Sequence, residues 1–401
     1  MWLARRLTLP ENTPFYVALT TFFYVGHMVF AGQVIPSEQG ILWALVFGIV
    51  AMWRRDLKPS FHILIYPLIV YGIVSTVSSF FIEQPKHFYG ESSLWGKMAI
   101  FPIAIALYRQ VPRIRDLALG AILFFGAYMS AYGLWQYAAM AHRDLEHRIS
   151  GTTSHVMTFS GMLLPIALIY LVLWLHEPRR WIFAGGALLT TAALWLTLTR
   201  SAWFGWLAAV LVLLIAKRPR WIVFAAPLLV LFIAFMPLPL FSRLISTFDT
   251  KQSSNFDRIR MWQGGIEIIK DYPVLGVGPA NVKEVYPLYR AHDAPRFRIP
   301  HLHNNVIQLW AERGVLGLAA YLMFLGLFVR ECIRGWRGPN SRFAAIGIVV
   351  AVSLTVAGMF EFNFGDTEVF FLILDVFALV AVSLEASPAV GSNAEIGTAV
   401  P

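Results

Sequence analysis

Long apolar runs, broken by short clusters of arginine and lysine, repeat along almost the whole chain. A helix that crosses a bilayer needs about 20 mainly apolar residues, fewer or more with tilt. The runs between charge clusters predict twelve such helices, near 14–33, 40–53, 61–81, 94–108, 117–140, 157–175, 181–199, 201–216, 221–240, 306–329, 343–361 and 367–385. Only 241–305 is a long enough interruption to build mass outside a membrane. Within it, Ile259, Met261, Trp262, Ile266 and Ile269 fall at helical spacing over Arg258–Lys270, and Tyr272-Pro273 should end that helix. Gly276, Gly278 and Pro279 mark a turn, a second helix is expected over 280–290, and 295–300 reads as extended. Asn304 is placed to cap the helix that enters the tenth span. The expected fold class is an all-α polytopic membrane protein with about twelve transmembrane helices and one long loop containing short helices. Its divisions are 1–240 (helices one to nine), 241–305 (loop domain), 306–385 (helices ten to twelve) and 386–401 (a small, polar, disordered tail).

Composition agrees with the pattern. The 401 residues are 58% hydrophobic and 14% charged, against about 45–50% and 25% in soluble chains. One cysteine excludes a disulfide scaffold and an all-thiolate zinc site. The net charge of +9 has to be divided by membrane side before it says anything, and it does not indicate nucleic acid. Arg5 and Arg6 precede the first span; Arg54, Arg55 and Lys58 follow the second; Arg109, Arg113 and Arg115 the fourth. Arg179 and Arg180 follow the sixth, Lys217, Arg218 and Arg220 the eighth, and Arg330, Arg334, Arg337 and Arg342 the tenth. All fall on one side, which the positive-inside bias makes cytoplasmic, with both termini there. The first segment is expected to stay, since no small-residue cleavage site is followed by soluble sequence. The natural setting is a bacterial inner membrane.

The candidate chemistry then lies on the outer side. Trp181–Ala216 is 36 residues with Arg200 as its sole charge; as one helix it would measure about 54 Å, far beyond a hydrocarbon core of about 30 Å. It must reverse at Arg200, which is either an interfacial anchor for lipid phosphate or a ligand for an anionic group held among the helices. Arg148-Ile-Ser-Gly151, followed by Thr152, Thr153, His155 and Thr158, could contact phosphate or sugar at a helix N-terminus, or simply cap it. His301 and His303 share a face of an extended segment, but no third metal ligand has convincing spacing. A histidine at a helix start serves equally as a base or as an interface residue. No phosphate-binding loop and no Asp-x-Asp pair occur, and Glu361 with Asp366-Thr367-Glu368 reads as countercharge to the arginines. Where nucleotides are scarce a substrate must arrive activated; a lipid-linked pyrophosphate does so, and arginine clamps suit its charge.

Three segments resemble the O-antigen ligase and polymerase superfamily. HNNVIQLWAERGVLGL (303–318) is similar to its histidine–asparagine helix, RIRMWQGGIEIIKDYPVLGVGPANV (258–282) to its arginine–tryptophan helix and Pro-x-x-Gly-x-Gly turn, and LTRSAWFGW (198–206) to its arginine–serine hairpin. The resemblance implies an O-antigen ligase: a metal-independent inverting glycosyltransferase without cofactors. Its donor would be glycan on undecaprenyl pyrophosphate, and its acceptor the lipid A core oligosaccharide at the periplasmic face. By position, Arg200 and Arg258 would hold the pyrophosphate, with Arg260 and then Arg148 as further candidates, and His303 would activate the acceptor hydroxyl. The rival expectations are a polymerase that extends lipid-linked glycan, an oligosaccharyltransferase acting on protein, and a transporter. The transporter reading needs charges at mid-span, where Asp375 is the clearest candidate.

Overall fold

The computed structural model describes residues 9–80, 86–140, 147–217, 238–246, 249 and 252–385. Residues 221–237 of the ninth expected span lie outside that description. So do Arg5, Arg6, Arg218, Arg220, Lys251 and the 386–401 tail. The described residues are all helix and connection: α1 (Phe15–Val29), α2 (Val34–Trp53), α3 (Ile65–Ser79), α4 (Lys86–Gln110), α5 (Arg113–Ala139), α6 (Val156–His176), α7 (Trp181–Leu196), α8 (Arg200–Lys217), α9 (Leu238–Ile245), α10 (Ser253–Asp271), α11 (Val282–Tyr289), α12 (Asn305–Gly335), α13 (Ser341–Gly358) and α14 (Thr367–Glu385), with a 3-10 turn at Asn363–Gly365. Every expected span other than the ninth is therefore a helix, as a polytopic membrane protein requires. Helices α5, α6, α12, α13 and α14 are long and apolar enough to cross a bilayer, and α1, α3, α7 and α8 are shorter apolar helices. Hydropathy placed the fourth span at 94–108; the helix begins earlier, because the polar residues from Lys86 remain helical without being lipid-like.

Burial ranks the helices. Of the apolar window in α14, 89% is buried, and 78% of that in α6; a helix apolar on every side belongs inside its bundle. Asp375 sits within α14 at 2% exposure. Its carboxylate lies 3.2 Å from His27 Nε2 on α1 and accepts from Tyr24 Oη at 3.1 Å, and Tyr24 Oη is 2.8 Å from Tyr108 Oη on α4. The mid-span charge thus ties α1, α4 and α14 together, as buried polar groups must be tied. At one end of the bundle, Arg109 pairs bidentately with Glu385 at 2.6 and 2.8 Å, and Arg342 with Glu177 at 2.9 Å. The basic clusters following the fourth, sixth and tenth spans therefore share that end.

The opposite end carries the loop, and an interlock splices it into α12. Helix α12 is broken at Gly314, whose φ of 64° and ψ of −173° suit only a residue without Cβ. The break frees the carbonyls of Ala311 and Glu312, which accept from Val277 N and Gly278 N, each at 2.8 Å. Val315 N, robbed of its helical partner, donates to Pro273 O at 2.9 Å. Ser78, at the end of α3, donates to Leu275 O at 2.6 Å and lies 3.1 Å from Glu312 O. The turn 273–278 is in this way spliced into a membrane helix. Helix α10 packs on α11 and α12 through Gly264 and Gly265, whose added Cβ atoms would meet Tyr286 and Ile307.

The splice can be tested directly. A Cβ at Gly314 would overlap the Val274 carbonyl, and the left-handed region alone costs an ordinary residue about 1–3 kcal/mol. Gly314→Ala should lower the thermal midpoint in detergent and expose the 273–278 turn to protease. An unchanged midpoint and digestion pattern would show that the interlock is not what holds the loop.

Candidate active site

The left-handed residue Leu198 (φ 55°) makes the reversal between α7 and α8 without a glycine. Such a turn is strained, and it leaves carbonyls that cannot be bonded within either helix. Arg148 Nε takes the Thr197 carbonyl at 2.6 Å and its Nη2 the Thr199 hydroxyl at 2.6 Å, while Arg243 Nε reaches the Leu198 carbonyl at 3.3 Å. Arg200 follows as the first residue of α8, buried at 5% exposure. Its Nη2 donates to Ser254 Oγ at 3.0 Å and Asn255 Oδ1 at 2.5 Å at the start of α10; its Nη1 is buried without a protein hydrogen-bond partner. The Arg148–Thr158 stretch caps its own helix: His155 Nδ1 accepts from Met157 N at 3.2 Å, and Thr153 Oγ1 bonds Ser150 O at 2.7 Å.

Arg258, one turn into α10, brings a fourth guanidinium to the same place. Burial, and then the charges of Arg243 and Arg258, push Arg148 down to about 10. Arg243 is lowered by burial and by Arg258, and Arg258 itself by burial, which Glu361 and Asp257 partly offset. Four guanidinium groups thus stand within electrostatic reach of one another. An anion placed among them would relieve their repulsion. Arg260 is not among them. Two residues along a helix turn a side chain about 200°, and Arg260 pairs instead with Asp293, bonds Gln263 Oε1 at 2.7 Å and covers the Phe256 ring.

His303 meets this cluster from α12. Its backbone sits at φ 51°, a second left-handed residue without a glycine. The preceding segment is fixed by Trp262 Nε1 donating to Leu302 O at 3.0 Å and Leu302 N donating to Gln308 Oε1 at 2.7 Å. Asn304 caps α12, accepting from Ile307 N at 3.0 Å, and its amide donates to Met359 O at 2.9 Å. Asn305 donates to Asn363 Oδ1 at 2.6 Å. His303, Asn304 and Asn305 thereby bond in succession to the connection between α13 and α14, which carries Glu361. The Glu361 oxygens both lie 3.0 Å from His303 Nδ1, and one is 3.8 Å from Arg258 Nη2. An ionised carboxylate only accepts, so Nδ1 carries a proton, and the nitrogen left to act as a base is Nε2. Burial alone would push the Glu361 carboxyl up. The hydrogen bond and charge of His303, followed by His301 and Arg258, outweigh it and hold the group at about 2. Burial and His303 push His301 down to about 4, so it is neutral and accepts from His303 N at 3.3 Å.

The fold therefore joins Arg148, Arg200, Arg258 and His303, and adds two groups that spacing did not single out. Arg243 was one basic residue among many in the loop. Glu361 read only as countercharge, which it provides to Arg258, but its principal partner is the histidine. It also supplies the third ligand that His301 and His303 lack along the chain: the three present ligand atoms within 4.8 Å of one another, a donor set known for zinc. Arg258 competes for the same carboxylate and adds positive charge beside it, which disfavours a cation.

Residues 185–322, running from α7 into α12, match the O-antigen ligase family, which bears out the resemblance seen in the three motifs. Arg200, Arg243, Arg258 and His303 fall inside that stretch; Arg148 and Glu361 do not. Two curated relatives are named as candidate polysaccharide ligases: a protein of Rickettsia conorii, 24% identical over 146 residues, and one of Rickettsia prowazekii, 27% identical over 146 residues. Each match covers 34% of this chain, and 33% and 34% of the respective relative.

Because the folded Glu361 carboxyl titrates below the ordinary 4.5, its pairing stabilises the protein fully above pH 4.5 and progressively less as pH falls towards about 2. Glu361→Gln should be less stable than the parent by about 1–3 kcal/mol at neutral pH, and the gap should narrow through that acid window. A gap that does not change with pH, followed by thermal unfolding, would remove the ion-pair account.

Proposed function

We propose that this protein transfers O-antigen polysaccharide from undecaprenyl pyrophosphate to the lipid A core oligosaccharide at the periplasmic face of a bacterial inner membrane, with both termini cytoplasmic. The observation that carries the reading is the convergence of Arg148, Arg200, Arg243 and Arg258 beside a histidine whose tautomer is set by Glu361. The divisions 1–240, 241–305, 306–385 and 386–401 then describe the membrane helices before the loop, the periplasmic domain, the closing helices and a cytoplasmic tail.

The chemistry follows from charge. A pyrophosphate is a good leaving group once its growing charge is met, and guanidinium groups fixed before the reaction supply that without reorganisation. Arg200 Nη1, buried and lacking a protein partner, offers a donor to one phosphate. His303 Nε2 takes the proton of the acceptor hydroxyl as its oxygen attacks the anomeric carbon; the glycosidic C–O bond to phosphate breaks, and undecaprenyl pyrophosphate leaves. Glu361 stabilises the imidazolium that forms, as a buried carboxylate does for a catalytic histidine. Direct displacement inverts the anomeric centre. No residue in this sequence of steps needs a metal or cofactor.

Purified protein supplied with lipid-linked glycan should glycosylate lipid A core in preference to a second lipid-linked unit or a pilin-like protein. Extension of the lipid-linked unit instead would make the protein a polymerase, and transfer to neither would return it to transport. His303→Ala should lower turnover by about 10²–10⁴-fold, measured on protein shown to be folded by its thermal midpoint. Arg258→Lys should lose about tenfold or more, because an ammonium cannot reproduce the guanidinium fork. Chelator should leave the rate unchanged; a loss restored by a divalent cation would assign His301, His303 and Glu361 to a metal.

A further inference from the structure

A cavity of about 730 Å³ lies against the His303–Glu361 couple, and both residues line it. Among the described residues, its wall includes none of Arg148, Arg200, Arg243 and Arg258. The couple therefore borders the arginine cluster, through Glu361 and Arg258 at 3.8 Å, and also this cavity, whose volume falls in the range of small-molecule sites. Its lining is of another kind from the arginine cluster. Tyr71 and Phe364, stacked edge to face at 5.8 Å, give it an aromatic wall. Its charges are mixed in sign: Lys97 and Arg313 against Glu312 and Asp366. Apolar side chains beside donors and acceptors of both signs suit a sugar, which has C–H faces and a rim of hydroxyl groups, better than they suit a polyanion.

Two of those charges are already committed. Arg313 pairs with Glu312 at 2.5 Å and donates to Ser75 Oγ at 2.7 Å, and Gln308 donates to Glu312 at 2.7 Å. The other two retain capacity. Lys97 Nζ has three donors, of which one reaches Thr367 Oγ1 at 2.9 Å, with Glu38 4.0 Å away. Asp366 caps α14 by accepting from Val369 N at 3.2 Å, and takes the Thr158 hydroxyl at 2.5 Å on its other oxygen. A further side-chain hydrogen bond links Asp366 to Glu368, which leaves one of the four lone-pair sites of the Asp366 carboxylate open. Because Lys97 bonds to the residue after Asp366, a donor and an acceptor stand together on the cavity wall, held by the start of α14.

We propose that Lys97 and Asp366 bind the acceptor sugar in this cavity and so determine which hydroxyl reaches His303. The proposal rests on the transferase reading above and adds to it the site and chemistry of the second substrate. A direct displacement requires the acceptor oxygen and the pyrophosphate on opposite faces of the anomeric carbon, with His303 Nε2 in reach of the acceptor hydroxyl. A cavity and an arginine cluster that both adjoin the His303–Glu361 couple allow that arrangement. Neither residue takes part in bond breaking; each positions the acceptor.

The test is a two-substrate kinetic analysis of the full chain in detergent, with lipid-linked glycan as donor and whichever of the three acceptors above the wild type uses. Lys97→Ala removes the donor group, and Asp366→Asn removes the charge while keeping a residue that caps helices well. Each should raise the KM for acceptor about tenfold or more while the KM for donor stays within about twofold, and Lys97→Arg should recover part of the loss. Unchanged acceptor KM in both variants, or donor KM rising in step, would overturn the assignment. Thermal midpoints near that of the parent would exclude simple misfolding, and a variant that fails to fold is replaced by Lys97→Met, judged on the same two constants. A wild type that transfers to no acceptor would defeat the transferase reading itself, whereas an active wild type with kinetically normal variants defeats only this one.

Discussion

The loop that supplies half of the site has a small apolar core of its own, around Met261, Ile268, Val282, Tyr286 and Leu302, and what joins it to the bundle is a splice between backbones. Helix α12 gives up its hydrogen bonds at Gly314, and the turn from Pro273 to Gly278 takes them over. Unsatisfied backbone groups within or beside a bilayer cost several kcal/mol each, so the broken helix and the turn are each unfavourable alone and stable only together. From this junction α10 rises with Arg258, and the first residues of α12 descend from His303. The glycine pair Gly264-Gly265 then draws α10 close enough for Trp262 to hold the segment that carries the histidine. A rigid junction at a membrane edge is what allows a loop residue to be aligned with the hairpin of α7 and α8.

Against that frame the site collects strain and like charge. Leu198 and His303 both occupy left-handed backbone, at about 1–3 kcal/mol apiece. Arg148, Arg200, Arg243 and Arg258 are partly or wholly buried near one another, with the Glu361 carboxylate 3.8 Å from Arg258. Such an arrangement opposes folding, and an anion bound among the guanidinium groups would offset that repulsion. Glu361 connects the two halves: it pairs with an arginine of the cluster and also fixes the protonated nitrogen of the histidine.

Much of the fold was legible because a membrane helix declares itself by length and hydropathy alone. The reversal at Arg200, the cap at Asn304 and the end of α10 at Tyr272 all follow from local rules, and all are present. The apolar periodicity of α10 was less informative. Ile266 falls at the apolar spacing and is 45% exposed, whereas the contact runs through Met261, Ile268 and the two glycines. Glycine contacts leave no hydropathy signal. The arginine cluster was legible only in part, since Arg243 differs from the other loop arginines solely in lying at the foot of α9 and reaching the Leu198 carbonyl. Glu361 as the partner of His303 was out of reach, because 58 residues separate them and only the folded connection between α13 and α14 brings them together. The same holds for Arg260, which follows Arg258 in the motif but emerges on another face of its helix.

The most direct measurement is the affinity of the detergent-solubilised protein for a short-chain prenyl pyrophosphate, compared with the corresponding monophosphate. The arginine cluster predicts tighter binding of the pyrophosphate. It also predicts a loss of about tenfold or more when Arg200 or Arg258 is replaced by Gln, and no such loss for Arg260→Gln. Equal affinity for the two lipids, or pyrophosphate binding that survives Arg200→Gln and Arg258→Gln, would contradict it.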